Sequence, residues 1–596
     1  MPSGRLARLA TALIATLSFT ESRCDYGARP RAPQRVAPYR GAPAVWVVDD
    51  GHRIASDAAM APPARGDGAG VWAPGERVEL FGLPGETLAL QVVVSAGAAR
   101  LDRVTVDLAS LTGPSALRSR TREHAGEITS FVVRELELER PSEGRISGES
   151  LGWTEDATPE LPRHKSLLPE PLVPAHVGDE APPLALPPGT QRAVWLDVAL
   201  PRVLFRGRYE GTIVVREGAA KRELARVPLS LEVGPTPLPF RALRTMLFFD
   251  PSTVMKRVGT EAAIARTHQE LHRHHVQAIF PVDSARDVRV HRAAIDGRLF
   301  LPRYGYDGPG QGVPADVVAI GAYGSLGDPS PKSIDTVRQI LRELDGLGGA
   351  RRDVFLYAID EQCSSDRGRR WRAALRGSSD ARLRSLPVGH TCSLAPSRQG
   401  VDLVMMHAGQ FTRGTLEESR RAGKSLWVYN GSLPHTGAFL SDAPFLSLRA
   451  NAWIQAHAGI ERWFYWNATY WDDDNRGGKG PYDPLRVAET FHNDEGDHCN
   501  GDGVLLYPGR QWGEFVELGI DGVVPSMRLK QWRRGIQDAG YLALANRVAP
   551  ARARAISERL VGSAFSSRSH PSWPLAGAPW VRARRELFDL IAAAKR

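Results

Sequence analysis

The chain has 596 residues, of which 42% are hydrophobic and 24% charged, with a formal net charge of +9. These values indicate a soluble globular protein of about two to four domains. The arginines are scattered and often interleaved with glutamates, without a dense basic stripe, which argues against a nucleic-acid partner. The four cysteines are too few for a disulfide framework and include no C-x-x-C pair, so we predict no metal site and no cofactor.

The N-terminus has the pattern of a signal peptide, which we assign to residues 1–24. Arg5 and Arg8 precede the apolar run Leu9–Phe19, which has the length of a signal h-region and is too short to span a bilayer. Cys24 lacks the small apolar residues expected before a lipidated cysteine, so we expect no lipid anchor there. Because no later stretch is long enough to cross a membrane, we expect export to the periplasm, the medium or the cell surface. The alternative is a disordered tail on a cytosolic protein.

Residues 71–239 are predicted to form an antiparallel β-sandwich, preceded at residues 25–70 by a linker and entry strand that we do not expect to belong to a core. Leu88–Val94 alternates as a half-buried strand does, and short strands without helices favour a sandwich. The proline-rich interval 155–190 is predicted as a surface loop. The stiff segment Gly234–Pro239 marks the domain boundary. Further strand candidates are Phe131–Leu138, Ala193–Val198, Gly211–Val215 and Val227–Val233.

Residues 240–545 alternate strand and helix patterns, which predicts a (β/α)8 TIM-type barrel. The helix candidates include Ser333–Leu344, with Ser333 as N-cap and Gly346 as C-terminal stop. An open doubly wound sheet is the alternative, although no glycine-rich phosphate loop supports it. Residues 546–596 are predicted as a helical extension on the outside of the barrel. The eight strand candidates are Leu243–Phe249, Val276–Val282, Val317–Tyr323, Val354–Asp360, Leu386–Cys392, Val401–His407, Ser425–Asn430 and Ile460–Trp466.

The carboxyl ends of these strands carry acids and aromatic residues, a composition typical of a carbohydrate site. Asp360 and Glu361 are the central pair. Trp427 could instead fill the barrel and His407 could be structural, while Cys363 and Cys392 could form a disulfide or stay free thiols. The acidic runs Asp472–Asp474 and Asp494–Asp497 lack EF-hand spacing and are read as solvated loops. Candidate substrate-binding residues are Asp250, His407, Trp427, Tyr429, Asn430, Trp466 and Trp471.

Several stretches resemble glycoside hydrolase family 123. Leu356–Glu361 looks like the catalytic strand of that family, although Gln362 stands where the family usually has proline. Gly501–Gly509 resembles its G-D-G-x-L-x-Y-P-G segment. Further similar stretches are Ser526–Leu529, Arg533–Asp538, Gly75–Val94 and Trp195–Pro239.

The resemblance implies a retaining β-N-acetylgalactosaminidase in which the 2-acetamido oxygen of the substrate is the nucleophile. Glu361 would then be the general acid, and Asp360 would hydrogen-bond the acetamido N–H and stabilise the oxazolinium ion. One alternative is a two-carboxylate glycosidase in which Asp250 or Asp472 acts with Glu361. Another is a glycan-binding barrel protein without activity, because a fold alone does not prove catalysis. In each case the expected partner is a glycan.

Overall fold

The computed structural model describes residues 38–57, 60–142, 166–177, 183–348, 351–471, 482–492, 498–511, 515–566 and 571–594. The expected signal peptide, Cys24 and the acidic runs Asp472–Asp474 and Asp494–Asp497 lie outside these residues. No helix in the described ranges combines the length and the apolar character that a bilayer crossing requires.

The N-terminal part of the chain forms two sheets that share one hydrophobic core. The first has the order β2-β1-β4-β11-β8-β9, and the second contains β10-β5-β12-β13-β3 with β6 and β7 at its side. The strands pair antiparallel except β13 and β3, which are parallel. The strands are β1 (Ala44–Asp49), β2 (Val71–Trp72), β3 (Val78–Gly82), β4 (Thr87–Ser95), β5 (Leu101–Asp107), β6 (Ser110–Thr112), β7 (Ala116–Arg118), β8 (Ile128–Leu138), β9 (Ser166–Pro174), β10 (Leu184–Leu186), β11 (Gln191–Ala199), β12 (Gly207–Glu217) and β13 (Arg222–Val233).

β1 is the entry strand expected within residues 25–70, but it belongs to the core, because it is buried and pairs with the central strand β4 over its whole length. A second strand lies where the composition predicted a surface loop. β9 falls within the interval 155–190 and forms the edge of the first sheet. An edge strand tolerates proline because one row of its N–H groups has no ladder partner. The proline-rich sequence around β9 led to the prediction of a loop there.

β4 is buried at all nine positions rather than half-buried. Leu88, Leu90, Val92 and Val94 face the core between the two sheets. Ala89 and Val93 face the opposite side, where they join the core that continues into the barrel. The prediction of an exposed face was wrong because the rest of the chain covers it.

The second half of the chain forms a nearly closed barrel of eight parallel strands, at the positions predicted from the sequence. The order is β15-β14-β21-β20-β19-β18-β17-β16, and β15 and β16, both fully described, are not hydrogen-bonded across the seam. The strands are β14 (Thr245–Phe248), β15 (Gln277–Ile279), β16 (Val317–Ile320), β17 (Asp353–Ile359), β18 (Val388–Thr391), β19 (Leu403–His407), β20 (Ser425–Tyr429) and β21 (Trp463–Tyr465).

Helices follow most barrel strands, and β18 and β19 are joined by a 3-10 turn at Pro396–Arg398 instead. The helix predicted from Ser333 begins earlier, because Ser330 caps it and Pro331 takes its first position. Gly346 ends that helix as predicted. The helices of the barrel are α1 (Pro251–Val258), α2 (Glu261–Arg273), α3 (Ala285–Val290), α4 (Arg292–Ile295), α5 (Pro331–Asp345), α6 (Arg367–Arg376), α7 (Ala381–Ser385), α8 (Arg413–Arg421) and α9 (Ser447–Ala458).

Beyond the barrel strands, two short hairpins precede three further helices. α12 does more than cover the barrel, because its residue Arg584 donates to Glu86 and to the Phe81 carbonyl of the first domain. The hairpin strands are β22 (Glu489–His492), β23 (His498–Asn500), β24 (Leu506–Pro508) and β25 (Val523–Pro525). The helices are α10 (Met527–Val548), α11 (Pro550–Val561) and α12 (Ala578–Ala593).

Candidate active site

Asp360 and Glu361 lie directly after β17, where the chain turns tightly. Glu361 has a φ of 49°, and the Gln362 N–H donates to the Asp360 carbonyl oxygen at 2.7 Å, which makes a γ-turn. Neighbouring side chains in a strand point to opposite faces, and the left-handed backbone of Glu361 breaks that alternation. Both carboxyl groups can therefore serve one site. A proline at position 362 has no N–H for this bond.

Three barrel strands end in the same unusual backbone conformation. Tyr323, Glu361 and Asn430, with φ values of 59°, 49° and 55°, follow β16, β17 and β20. Non-glycine residues adopt this region at a cost of about 1–3 kcal/mol, and such residues cluster at functional sites. The strain therefore falls at the end of the barrel where the predicted residues meet.

The carboxylate of Asp360 is held by two hydroxyl donors on one oxygen. Tyr357 Oη donates to Asp360 Oδ1 at 2.8 Å, and Thr391 Oγ1 donates to the same atom at 2.6 Å. Burial raises the pKa of Asp360 above its ordinary value, the two donors oppose the shift, and the Glu361 charge adds to it. Among the described residues, no group hydrogen-bonds the second oxygen, Oδ2, which is left for a ligand.

Glu361 is exposed and has one anchored oxygen. Tyr429 Oη donates to Glu361 Oε1 at 2.7 Å. The Glu361 backbone N–H donates to Thr391 Oγ1 at 2.9 Å, so one hydroxyl fixes both acids. Within the described chain, Oε2 of Glu361 has no hydrogen-bond partner. The two acids thus each present one oxygen to the open end of the barrel.

His407 supports Tyr429 rather than the carboxylates. Its ring lies edge-to-face against Tyr429, with centroids 5.3 Å apart, and its Nδ1 accepts from the Gly409 N–H at 3.2 Å. Burial lowers the pKa of His407 to about 4, so the ring is neutral near pH 7. A neutral ring orients the phenol without competing for the charge of Glu361.

An aromatic group borders the acids on the side of β21. Trp466 is half-buried, and its Nε1 donates to Asp502 Oδ1 at 3.0 Å. Tyr323 Oη donates to the Trp466 carbonyl oxygen. Burial, and then the charges of Asp360 and Glu361, raise the pKa of Tyr323 well above its ordinary value, which places this phenol beside both acids. The group offers rings on which the apolar face of a sugar could lie.

Asn430 is held by the neighbouring strand through its backbone. Its N–H donates to the Phe464 carbonyl oxygen at 2.9 Å, and Trp463 Nε1 donates to the Asn430 carbonyl oxygen at 2.7 Å. The side-chain oxygen Oδ1 is buried and has no hydrogen-bond partner in the described part of the chain. A buried acceptor without a donor is costly, so this atom favours a ligand N–H or O–H.

Three of the predicted binding residues have structural contacts of their own and do not contact Asp360 or Glu361. Both carboxylate oxygens of Asp250 bind the start of α1, where Oδ1 accepts from the Ser252 N–H at 2.8 Å, so Asp250 is a helix cap. Trp427 lies one layer deeper than Tyr429 and fills the barrel, edge-to-face against Phe355 at 5.2 Å. Trp471 is fully buried, and its Nε1 donates to a backbone carbonyl. Since Asp250 caps a helix, it is also a poor second carboxylate for a two-carboxylate reaction.

The sequence reasoning missed the hydroxyl groups that hold the acids. Tyr357 points into the barrel from the predicted strand, and Thr391 ends β18. Tyr323, which follows β16 through a left-handed turn, was missed as well, although its hydroxyl donates to the Trp466 carbonyl oxygen and not to an acid. The strand-end rule could have found Thr391, and alternation from Asp353 could have found Tyr357. No sequence pattern indicates that their hydroxyls meet one carboxylate.

Cys363 and Cys392 form a disulfide with Cα atoms 5.3 Å apart, so the free-thiol alternative is wrong. The bond joins the turn that carries Glu361 to the residue after Thr391. It therefore fixes the two ends of strands β17 and β18 beside the acids.

The other stretches that resemble family 123 contribute hydrogen bonds and helix packing that support the fold. Asp502, between two left-handed glycines, accepts from Trp466 and from Tyr465. Arg528 at the start of α10 donates to Glu170 at 2.6 Å. A Cβ on Gly535 would meet the α9 backbone at Arg449, so glycine permits close helix packing.

Comparison with known proteins gives a family match over part of the chain. Residues 388–545 match the model of the glycoside hydrolase 123 catalytic domain. The match begins after Asp360 and Glu361, and it includes Tyr429, Asn430, Trp466 and most of α10. A comparison with curated proteins returned no match.

A solved structure of low sequence identity shares the fold. A family 123 glycoside hydrolase from Clostridium perfringens, studied for glycolipid glycan hydrolysis, has a TM-score of 0.60 at 10% identity, covering 93% of this chain and 98% of its own. A family 39 glycoside hydrolase from Bacteroides cellulosilyticus WH2 has a TM-score of 0.29 at 10% identity, covering 73% of this chain and 79% of its own. The TM-score of the family 39 structure is too low to show a shared fold.

The barrel, its acidic strand end and the family match define the protein as an enzyme of the glycoside hydrolase class. Its resemblance to glycoside hydrolase family 123 is confirmed, in sequence over residues 388–545 and in fold over most of the chain.

Proposed function

We propose that the protein is a retaining β-N-acetylgalactosaminidase that uses the 2-acetamido group of its substrate as nucleophile. The observation that carries the proposal is the pair Asp360 and Glu361, adjacent in the chain and turned to one site by the γ-turn. Each acid has one oxygen held by a protein hydroxyl and one oxygen left for the substrate. The resemblance to family 123 supports the choice of substrate.

In the first step, Glu361 donates a proton to the glycosidic oxygen while the acetamido oxygen attacks the anomeric carbon. The C1–O bond to the leaving group breaks, and an oxazolinium ion forms. Asp360 Oδ2 accepts the acetamido N–H and its negative charge stabilises the cation. In the second step, Glu361 takes a proton from a water molecule whose oxygen attacks the anomeric carbon. The bond between C1 and the acetamido oxygen breaks, which opens the oxazolinium ring and restores the acetamido group with net retention of configuration. No carboxylate nucleophile of the enzyme is needed.

The neighbouring groups suit these roles. The Tyr429 hydroxyl and the Thr391 hydroxyl hold the acids in position before substrate arrives, which lowers the cost of ordering them. The half-buried indole of Trp466 suits the apolar face of a galactose-type ring. The C. perfringens enzyme acts on glycolipid glycans, and we propose a β-linked N-acetylgalactosamine at the end of a glycan as the substrate class here.

The test compares Glu361→Gln with the wild type on two aryl β-N-acetylgalactosaminides that differ in leaving-group acidity. Loss of a general acid lowers kcat/KM by about 10²–10⁴-fold, and the loss should be smaller for the more acidic leaving group. Asp360→Asn should lose activity on both. Gln362→Ala is the matched control, because that side chain is exposed and its backbone N–H remains.

Equal rates for Glu361→Gln and the wild type would remove Glu361 from the mechanism. Turnover of the matching aryl β-galactoside, which lacks the acetamido group, at a similar rate would exclude substrate assistance. Failure of a thiazoline mimic of the oxazoline to inhibit would contradict it as well.

We also propose that the protein is exported. The disulfide between Cys363 and Cys392 supports this, because disulfides persist in oxidising compartments and are rare in the cytosol. Cell fractionation, followed by non-reducing peptide mapping of the mature protein, tests the proposal. Recovery in the cytosol with both thiols reduced would contradict it.

A further inference from the structure

A cluster of metal-binding side chains lies on the hairpin of β22 and β23, outside the candidate active site. Glu489, His492 and His498 each offer one ligand atom, and these atoms all lie within 4.8 Å of one another. His498 Nδ1 is 3.5 Å from a carboxylate oxygen of Glu489, and His492 Nδ1 is 3.8 Å from the other. Ligands bound tetrahedrally at about 2.1 Å lie about 3.4 Å apart, so small side-chain rotations would close the site.

The strand register explains why three ligands share one face. His492 and His498 are directly opposite each other across the hairpin, so their side chains point the same way. By simple alternation, Glu489 would point to the opposite face from His492. A bulge between Glu489 and Phe491 shifts the register and places Glu489 opposite Asn500, which shares a face with His498. The bulge thus brings the carboxylate to the histidines.

His498 supplies independent support for a ligand. Only 1% of its surface is exposed, and neither ring nitrogen has a hydrogen-bond partner among the described residues. A buried imidazole whose ring nitrogens make no hydrogen bond is costly, and coordination of a metal would remove that cost. The ring planes of His492 and His498 are nearly perpendicular, at 86°, so the two imidazoles approach the shared point from different directions.

We infer that Glu489, His492 and His498 bind a divalent transition-metal ion of the zinc type. Two imidazoles and one carboxylate are a known ligand set for zinc, whereas calcium and magnesium prefer oxygen ligands alone. This site is independent of the proposed reaction, and it revises the expectation of no metal. The histidine–glutamate combination was missed because the ligands depend on the bulge and not on a recognised spacing.

The position suggests a structural role. Asn500, at the other end of β23, is anchored because its Nδ2 donates to Asp442 at 2.9 Å and its N–H donates to Ser142 Oγ at 2.9 Å. The chain then passes through Gly501 to Asp502, which accepts from Trp466. A metal bound to Glu489, His492 and His498 would join β22 to β23 beside this anchored residue and so steady the loop that carries Asp502.

The test measures metal binding directly and needs no activity. The full chain, stripped with a chelator, is titrated with Zn²⁺ alone by calorimetry, and the metal content is measured after dialysis. We expect about one equivalent per chain and a higher thermal midpoint with Zn²⁺. His492→Ala and Glu489→Gln should weaken binding by at least about 10–100-fold, the range typical for loss of even an outer-shell partner. His124→Ala removes an exposed histidine outside the cluster and is the control.

Binding of Zn²⁺ by His492→Ala and Glu489→Gln with wild-type affinity would overturn the inference, as would absence of binding to the wild type. Binding of Ca²⁺ but not Zn²⁺ would overturn it too. His498→Ala removes a buried ring and could destabilise the fold. The test therefore uses His492→Ala and Glu489→Gln, which change half-buried ligands.

Discussion

The carboxylate of Asp360 is held between two opposing influences. Burial favours its neutral form and, with the Glu361 charge, raises its pKa, while donation from Thr391 and Tyr357 favours the charged form. Because the proposed role needs a charged Asp360, activity should be lost as the pH falls through this raised pKa. The acid limb of kcat/KM therefore reports on Asp360.

Thr391→Val should move that acid limb to higher pH. The valine removes a donor that lowers the pKa of Asp360, so the acid protonates earlier as the pH falls. A hydrogen bond to a charged group contributes about 1.5–3 kcal/mol, so kcat/KM on the acid side should drop by roughly tenfold or more. The measurement is the pH profile of kcat/KM on an aryl β-N-acetylgalactosaminide.

Thr391→Ser keeps the hydroxyl and should restore the wild-type profile. Tyr323→Phe provides a further control, because the Tyr323 hydroxyl donates to the Trp466 carbonyl oxygen and not to Asp360. If Thr391→Val lowered kcat/KM equally at every pH, Thr391 would act on geometry alone and not on the charge of Asp360.

At the scale of elements, the turn after β17 is tied to β18 by the disulfide of Cys363 and Cys392. The two residues are 29 positions apart, and closing a loop of that length contributes about 3–4 kcal/mol in the chain-entropy account. The double change Cys363→Ser and Cys392→Ser should therefore lower the free energy of unfolding by about that amount. It should also lower kcat, because the turn of Glu361 lies between β17 and the bond.

Chemical denaturation and steady-state kinetics, each with and without a reductant, measure this prediction. A reductant should bring the wild type to the level of the double variant and leave the double variant unchanged. A wild type whose unfolding and kcat are insensitive to reduction would show that hydrogen bonds such as that from Glu361 N–H to Thr391 hold the turn by themselves.

The sequence contained enough information to locate the barrel strands but less to select the residues that point into the site. Apolar runs such as Val354–Ile359 mark buried strands whatever surrounds them, so the strand ends, and with them Asp360 and Glu361, could be predicted. Asp250 also ends a strand, but Pro251 and Ser252 after it are a helix N-terminal pattern, which could have been recognised. The role of Thr391 in holding Asp360 depends on contacts between strands and could not be derived from the sequence.

The sequence was also a poor guide to which aromatic residues are buried. Trp466 and Trp471 stand five positions apart and look alike in sequence. Trp466 follows β21 directly, and its half-buried ring packs against Tyr470 and the larger core rather than with Phe464 inside the barrel. Trp471 lies beyond the strand, where alternation no longer applies, and the hairpin strand β24 covers it.

At the scale of the whole molecule, α10 joins the barrel to the N-terminal sheets through buried charges. Asp197 of β11 accepts from Lys530 at 2.6 Å and from Arg533 at 2.9 Å. Arg534 donates to Asp50 and to Glu86. Burial lowers the pKa of Lys530 to about 8, which Asp197 opposes. The Arg533–Asp538 segment of the family resemblance thus serves the contact between the two halves of the chain.

Asp197→Asn should destabilise the whole protein. The change leaves the cations of Lys530 and Arg533 buried without their counter-charge, and removal of one partner from a buried ion pair costs about 3–5 kcal/mol. Urea unfolding followed by fluorescence should show a lower free energy of unfolding. Because the side-chain partners of Asp197 are Trp195, Lys530 and Arg533, and none of these binds Asp360 or Glu361, kcat at low temperature should change little.

The control is Glu223→Gln in β13, which removes an exposed partner of Arg226 in the same N-terminal part of the chain. Exposed pairs contribute about 0–1 kcal/mol, so this variant should unfold almost as the wild type does. Asp197→Asn could instead lower the free energy of unfolding as little as Glu223→Gln does. In that case, water or other acids would have to reach the cations of Lys530 and Arg533 when Asp197 loses its charge. The buried ion pairs would then not be what couples the sheets to the barrel, and the apolar contacts of Phe131 and Trp195 with the shared core would have to hold the two halves together.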